Sequence, residues 1–388
     1  MVEAHENDTV IDKSAGPRLY IKQQPVMLTL VAVLGVLFFV AVAGLSKAYH
    51  ARREALGERW FSRGIADLSA KRYDSAVTEF RSALLYSRDN YDYQLNLAEA
   101  LIGLKRTGEA NSYLVNLWDE EPENGVVNLE LARIATQRGQ TEQAQRYYHN
   151  AIYAVWPSDQ EGKRRETRME LIEYLLSINA RAEAQAELIA LQENLGEDPA
   201  QQRRVADLFV QAQDYEHALA AYRVSLKAAR HNQGALAGAG WAAFELGQYA
   251  LAEKYLQAAV GENASDAQSA ERLKTTQLVL RMDPFRRGIT MEDRDRIVLA
   301  AFGIAGERLS ACAAPKAAAT TTGSPSLADK WVAMKPRMRE LELQRNPDLG
   351  EEAMDLVFEI ERQTSTTCGT PNGPDEALLL ISQAHEGN

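Results

Sequence analysis

The 388-residue chain holds two cysteines, Cys312 and Cys368, too few for a zinc site made of cysteine alone. Its six histidines are scattered at His5, His50, His149, His217, His231 and His385, and none forms an HExxH motif or a ligand pair beside either cysteine. No GxSxG nucleophile motif is present. There is no concentrated run of Lys and Arg, and 54 acidic against 43 basic side chains leave a net charge of −11. That balance excludes a phosphate-binding surface of the kind nucleic acids need. The stretch 234–240, GALAGAG, has no strand before it and no Lys-Ser/Thr after it, so its glycines read as packing positions and not as a phosphate loop. Glu292, Asp293 and Asp295 fall in the first turn of a predicted helix, where the macrodipole favours acids without any metal. No catalytic, cofactor-binding or metal-ligating residue is therefore assigned, and the chain reads as a non-enzyme without a cofactor. At 46% apolar and 25% charged residues, it is still a folded chain.

What the sequence does have begins with residues 26–45, VMLTLVAVLGVLFFVAVAGL, which carry no charge. Twenty residues at 1.5 Å each match a hydrocarbon core of about 30 Å, so 25–46 is expected to be a transmembrane helix. Ala41-Val42-Ala43 also resembles a small-x-small cleavage site, but the acidic leader and the full span favour a retained anchor. Residues 1–24 have no periodicity and are expected to be a mobile tail. Two cues on orientation disagree. Lys47, Arg52, Arg53, Arg59 and Arg63 after the span favour a cytoplasmic C-terminal side, whereas two lone cysteines suit an oxidising compartment. The reading adopted places the bulk of the chain outside the cytoplasm, with the cytoplasm as the alternative.

From residue 57 the chain repeats itself. Leu97-Ala98, Leu101, Ala110, Leu114 and Pro122 are answered 34 residues later by Leu131-Ala132, Ala135, Ala144, Tyr148 and, nearly, Trp156-Pro157. An alanine ladder extends the register to Ala76, Ala110, Ala144, Ala184, Ala218 and Ala252, with one 40-residue step where 158–165 supplies an extra loop. A fixed period of this size means stacked helical hairpins, in which Ala or Gly at the crossings lets helices approach while Leu, Tyr and Phe fill the gaps. The pattern resembles the tetratricopeptide repeat family. The resemblance implies an all-α fold: six repeats over 57–265 in a right-handed α-solenoid, closed by a capping helix at 266–285. Residues 286–388 fall outside it and read as an all-helical module with helices at 291–313, 326–345, 349–363 and 374–384 and a mobile Ala/Thr-rich loop at 314–325. Within that module Cys312 and Cys368 are candidates for a disulfide.

In proteins of this family, ligands lie in the concave groove formed by the first helix of each hairpin. The resemblance transfers those places to Asp92, Leu95, Glu99, Arg133, Gln137, Met169, Glu173, Arg203, Asp207, Trp241 and Phe244. The set mixes charge with aromatic surface and suits a protein or peptide ligand. The Lys/Asn clamp of chaperone-binding members is absent, since Leu95, Asn96 and Glu99 stand there. The expected function is a membrane-anchored scaffold that recruits partner proteins. Two alternatives stay open: an enzyme or accessory subunit with its site in the C-terminal module, and a self-associating component of an envelope assembly. Homo-oligomerisation is likewise open, and nucleic acid is not an expected partner.

Overall fold

The computed structural model describes residues 24–154, 156, 161–193, 195–313, 326–346 and 348–386. The expected tail, apart from its last residue, the expected loop 314–325 and residues 158–160 of the expected inter-repeat loop lie outside them, whereas 161–165 of that loop are already helical. All regular elements among the described residues are helical. The chain divides into two compact units, Met1–Arg164 and Arg165–Asn388.

In the first unit, α1 (Gln24–Ser69) and α2 (Tyr73–Tyr86) form the first hairpin. Helices α3 (Tyr91–Gly103) and α4 (Thr107–Glu120) form the second, α5 (Gly125–Gln137) and α6 (Thr141–Tyr153) the third. The apolar span and the first repeat are not separate elements: α1 runs through both for 46 residues, about 69 Å at 1.5 Å per residue. Its apolar part is fully presented, with Phe38 and Phe39 each 73% exposed. Past Gly57 the same helix packs Phe61 and Ile65 against the core of Phe80, Leu97 and Leu101.

The second unit begins within α7 (Glu161–Ser177), which pairs with α8 (Arg181–Gln192). Two further hairpins follow, α9 (Pro199–Gln211) with α10 (Tyr215–Ala228) and α11 (Gln233–Glu245) with α12 (Tyr249–Glu262). Helix α13 (Ala267–Met282) lies on α12. The C-terminal helices are α14 (Met291–Ala313), α15 (Leu327–Met334), α16 (Glu340–Arg345), α17 (Asp348–Thr367) and α18 (Pro374–Glu386). The single helix expected over 326–345 is broken. Pro336 sits in a 3-10 turn, Lys335–Arg337, between α15 and α16, because proline cannot donate the hydrogen bond a continuing helix needs.

Three ladders in the sequence explain why these hairpins form. All six ladder alanines are fully buried, so a larger side chain at any of them would overpack the stack by about 1–3 kcal/mol. Each turn inside a hairpin places one residue in the left-handed region: Lys71, Lys105, Gly139, Asn179, Gln213 and Gly247, at φ of 60–68°. The residue after each returns its N–H to a carbonyl five back, as Arg72 does to Asp67 at 2.8 Å and Gln248 to Ala243 at 2.8 Å, which closes the open end of the first helix. The third ladder starts the next hairpin. Asn90, Asn124, Asp198, Asn232 and Asp266 cap their helices by accepting from a backbone N–H two or three residues on.

Candidate functional site

The first helices of the second to sixth hairpins, α3, α5, α7, α9 and α11, carry the transferred groove positions, and their surroundings divide them. In the first unit, Glu99 on α3 and Arg133 on α5 belong to one charged group. Arg133 Nη1 donates to Glu130 Oε1 at 2.6 Å, and the Glu130 side chain is largely buried. Burial first, then the Glu130 charge, hold the Glu99 carboxyl above its ordinary range, against Lys163 and Arg133. Leu95 packs on the core of this unit and serves the fold more than a ligand. Asp92, in the first turn of α3, and Gln137, in the last turn of α5, are exposed.

In the second unit, Met169 packs on the core, and Glu173 pairs with Arg204 at 2.9 Å across α7 and α9, both of them exposed. Arg203, Asp207, Trp241 and Phe244 are each half-buried. Asp207 Oδ1 accepts from the Tyr222 hydroxyl at 2.6 Å, while its other oxygen lies 3.9 Å from Arg203 Nε. Burial and this carboxylate push the Tyr222 phenol far above its usual range, so it stays a donor. The glycines of GALAGAG make room for these groups. A Cβ on Gly234 would stand 2.4 Å from Arg203 Nη1, one on Gly238 2.2 Å from Tyr222 Cζ, and one on Gly240 2.7 Å from Leu256 Cγ.

Trp241 and Phe244 lie with ring planes 9° apart and centroids 5.8 Å apart, and Phe244 meets Tyr249 edge-on at 5.5 Å. The guanidinium of Arg272, on α13, lies 3.5 Å from the centre of the Trp241 ring. Burial there lowers the affinity of Arg272 for its proton, with Glu245 and Asp266 opposing the shift. Stacking leaves the in-plane N–H edge of an arginine available to a carboxylate or carbonyl. Arg272 was not among the transferred positions, because the family register stops with the sixth repeat and α13 is the helix beyond it. Glu130 was missed for a related reason: it stands beside the transferred places of α5, and the signal was an acid three residues before Arg133.

The C-terminal helices hold a second group of charges. Glu361 on α17 is fully buried, with Arg308 Nε 3.4 Å away, and Asp375 lies 3.8 Å from Arg308 Nη1. Arg308 also donates to Thr364 Oγ1 and to the Gly369 carbonyl, both at 2.9 Å. Desolvation and Asp375 push Glu361 up to about 8. Perturbed acids mark catalytic sites only where substrate reaches them, and Glu361 is walled in by the helices around it. Cys312 and Cys368 are joined beside this group, with Cα atoms 5.7 Å apart, inside the range a disulfide takes. Among the described residues no group of three or more His, Cys, Asp and Glu side chains is placed to hold a metal ion.

Sequence models described as tetratricopeptide repeat match residues 61–120 and 203–268 and, in a second form, residues 103–154. No curated protein matches the chain. Among solved structures, a repeat-containing protein of Cytophaga hutchinsonii is 13% identical and covers 62% of this chain and 94% of its own, with a TM-score of 0.45. The pilF protein of Pseudomonas aeruginosa is 16% identical over 56% of this chain and 97% of its own, at 0.40. YrrB, described as having an unusual peptide-binding site, is 12% identical over 50% and 97%, at 0.41. The repeat assignment rests on the family matches, since none of these scores reaches 0.5.

Proposed function

The chain is a tetratricopeptide repeat protein, and we propose that it is a membrane-anchored scaffold that recruits a partner protein or peptide through the first helices of its hairpins. The observation that carries this reading is the Trp241–Arg272 stack. A half-buried indole beneath a guanidinium, with Phe244 alongside and Arg203 and Asp207 on the neighbouring α9, combines an apolar anchor with oriented donors and acceptors. Binding hot spots concentrate in such Trp and Arg clusters. Replacing Arg133, Arg203 and Trp241 together with Ala should abolish crosslinked capture of the partner from native membranes and leave thermal unfolding little changed. Undiminished capture by that variant would move the binding surface elsewhere.

The apolar part of α1 supports the anchor, and its test is extraction: the full chain should stay in the membrane fraction through carbonate and high salt. Cys312 and Cys368 support an extracytoplasmic side, because their geometry suits a bond that an oxidising compartment keeps closed. Alkylation of the freshly isolated, denatured and unreduced protein should then label neither thiol. Two labelled thiols would place the repeats in the cytoplasm, in line with the basic residues that follow the span.

A further inference from the structure

A cleft of about 840 Å³ opens between the start of α12, the end of α13 and the loop that follows α13, and none of the transferred groove residues is in its lining. Its apolar surface comes from Leu251 and Leu280, beside Tyr249. The floor is fixed, because Tyr249 is buried and its hydroxyl donates to the Leu380 carbonyl of α18 at 3.3 Å. Three arginines, Arg281, Arg286 and Arg287, line the same cleft, and all three are exposed.

The acids of the cleft are otherwise engaged. Asp283 Oδ1 accepts from the Phe285 N–H at 2.8 Å, and Glu253 Oε1 accepts from Gln257 at 3.0 Å. Burial also raises Asp283 above its ordinary range, with Arg286 acting against the rise. None of the three arginines makes a hydrogen bond or an ion pair among the described residues. In a chain of net charge −11, three guanidiniums left open around an apolar floor form a local field of the opposite sign, which attracts anions and strengthens where the walls are low in dielectric.

We propose that this cleft is a second docking site, which takes an acidic peptide segment of a partner protein, with an apolar side chain on Leu251 and Leu280 and carboxylates on Arg281, Arg286 and Arg287. The concavity and the apolar floor decide the class of ligand. A flat anionic bilayer meets the rim of a cleft and not its floor, and inorganic phosphate leaves the leucines uncovered. Arginine suits the role because its planar fork holds a carboxylate through two parallel hydrogen bonds.

The test uses the full chain in zwitterionic micelles and fluorescence anisotropy with two fluorescein-labelled peptides, EELEEL and its neutral counterpart QQLQQL. The acidic peptide should bind about tenfold or more tightly than the neutral one, a factor that the loss of one charge-assisted hydrogen bond can produce, and its affinity should fall as salt rises. The variant Arg281→Gln/Arg286→Gln/Arg287→Gln should lose the preference with unchanged helicity, since the three side chains are exposed and make no ion pair. The variant Arg203→Ala/Trp241→Ala, altered only in the other groove, should keep it, which separates this site from the one proposed above. Equal affinity for the two peptides, or an undiminished preference in the triple variant, would overturn the proposal. So would arginine-dependent binding to phosphatidylserine vesicles without any binding of EELEEL, which would make the patch a lipid contact.

Discussion

Arg53 Nη2 donates to the carbonyl oxygen of Tyr86 at 2.8 Å and lies 3.3 Å from that of Leu85. Those carbonyls belong to the last turn of α2, where a helix leaves its acceptors unpaired and favours a cation. The long helix is thus clasped to the end of its own hairpin. Arg53→Ala should cost about 0.5–1.5 kcal/mol, the worth of an ordinary hydrogen bond, and should speed amide exchange in the last turn of α2. Unchanged exchange there would remove the clasp.

Two glycines of α11 should respond differently to the same substitution. Gly238→Ala sets a methyl against the Tyr222 ring, a rigid group held by Asp207, and should destabilise by about 1–3 kcal/mol as overpacking does. Gly234→Ala presses on the far end of Arg203, which can swing aside, and reaches Asn232 Oδ1 at an ordinary contact distance of 3.6 Å. Its melting temperature should stay near that of the parent while partner binding weakens. Equal losses of stability at the two sites would contradict the packing described here.

Among the six left-handed turn positions, Lys71, Lys105, Asn179 and Gln213 carry a side chain where Gly139 and Gly247 do not. A left-handed conformation costs an ordinary L-residue about 1–2 kcal/mol, and glycine escapes that cost. Lys105→Gly and Gln213→Gly should therefore raise the midpoint of urea unfolding with no change in slope. A lowered midpoint for both would mean that their side chains support the turn.

The C-terminal helices should lose stability as the medium becomes alkaline. Glu361 holds its proton up to about 8 in the fold but releases it near 4.3 once unfolded. Between those values the native state binds more protons than the unfolded one, so stability falls as pH rises through the window and levels off above it. Glu361→Gln should flatten that dependence and raise the melting temperature at pH 8 by about 2–4 °C for each kcal/mol recovered. A parent profile already flat from pH 5 to 8 would show that Glu361 ionises freely.

The hairpins were legible because alanine at a 34-residue spacing has one strong explanation, close helix contact, and Ala76 through Ala252 obey it. The Asn/Asp caps and left-handed turns repeat with the same register and were equally open to reading, but apolar periodicity draws attention to cores and away from helix ends. The candidate site was legible in part. Trp241 and Arg203 stand where the register puts them, whereas Arg272 comes from the helix after the last repeat. Leu95 and Met169, transferred as ligand positions, also touch the core, since a helix turns continuously and no residue number divides its inner face from its packed one. Glu361 could not be recognised as buried, because a glutamate between Ile360 and Arg362 reads as a solvent position on an amphipathic helix until the faces of α14 and α18 are known.

The continuity of α1 turns distance along the chain into rotation. Each residue advances a helix by about 100° and 1.5 Å, so the segment between Leu45 and Gly57 sets the compass bearing of the first unit about the axis of the apolar part of α1 as well as its distance from that part. One alanine inserted there would swing every docking residue of that unit by more than a quarter turn while lifting it by little more than a bond length. Seven alanines, close to two full turns, would restore the bearing and add only height. If α1 spans a membrane as proposed and the partner is fixed there too, recruitment should follow the bearing, failing with one added residue and returning with seven.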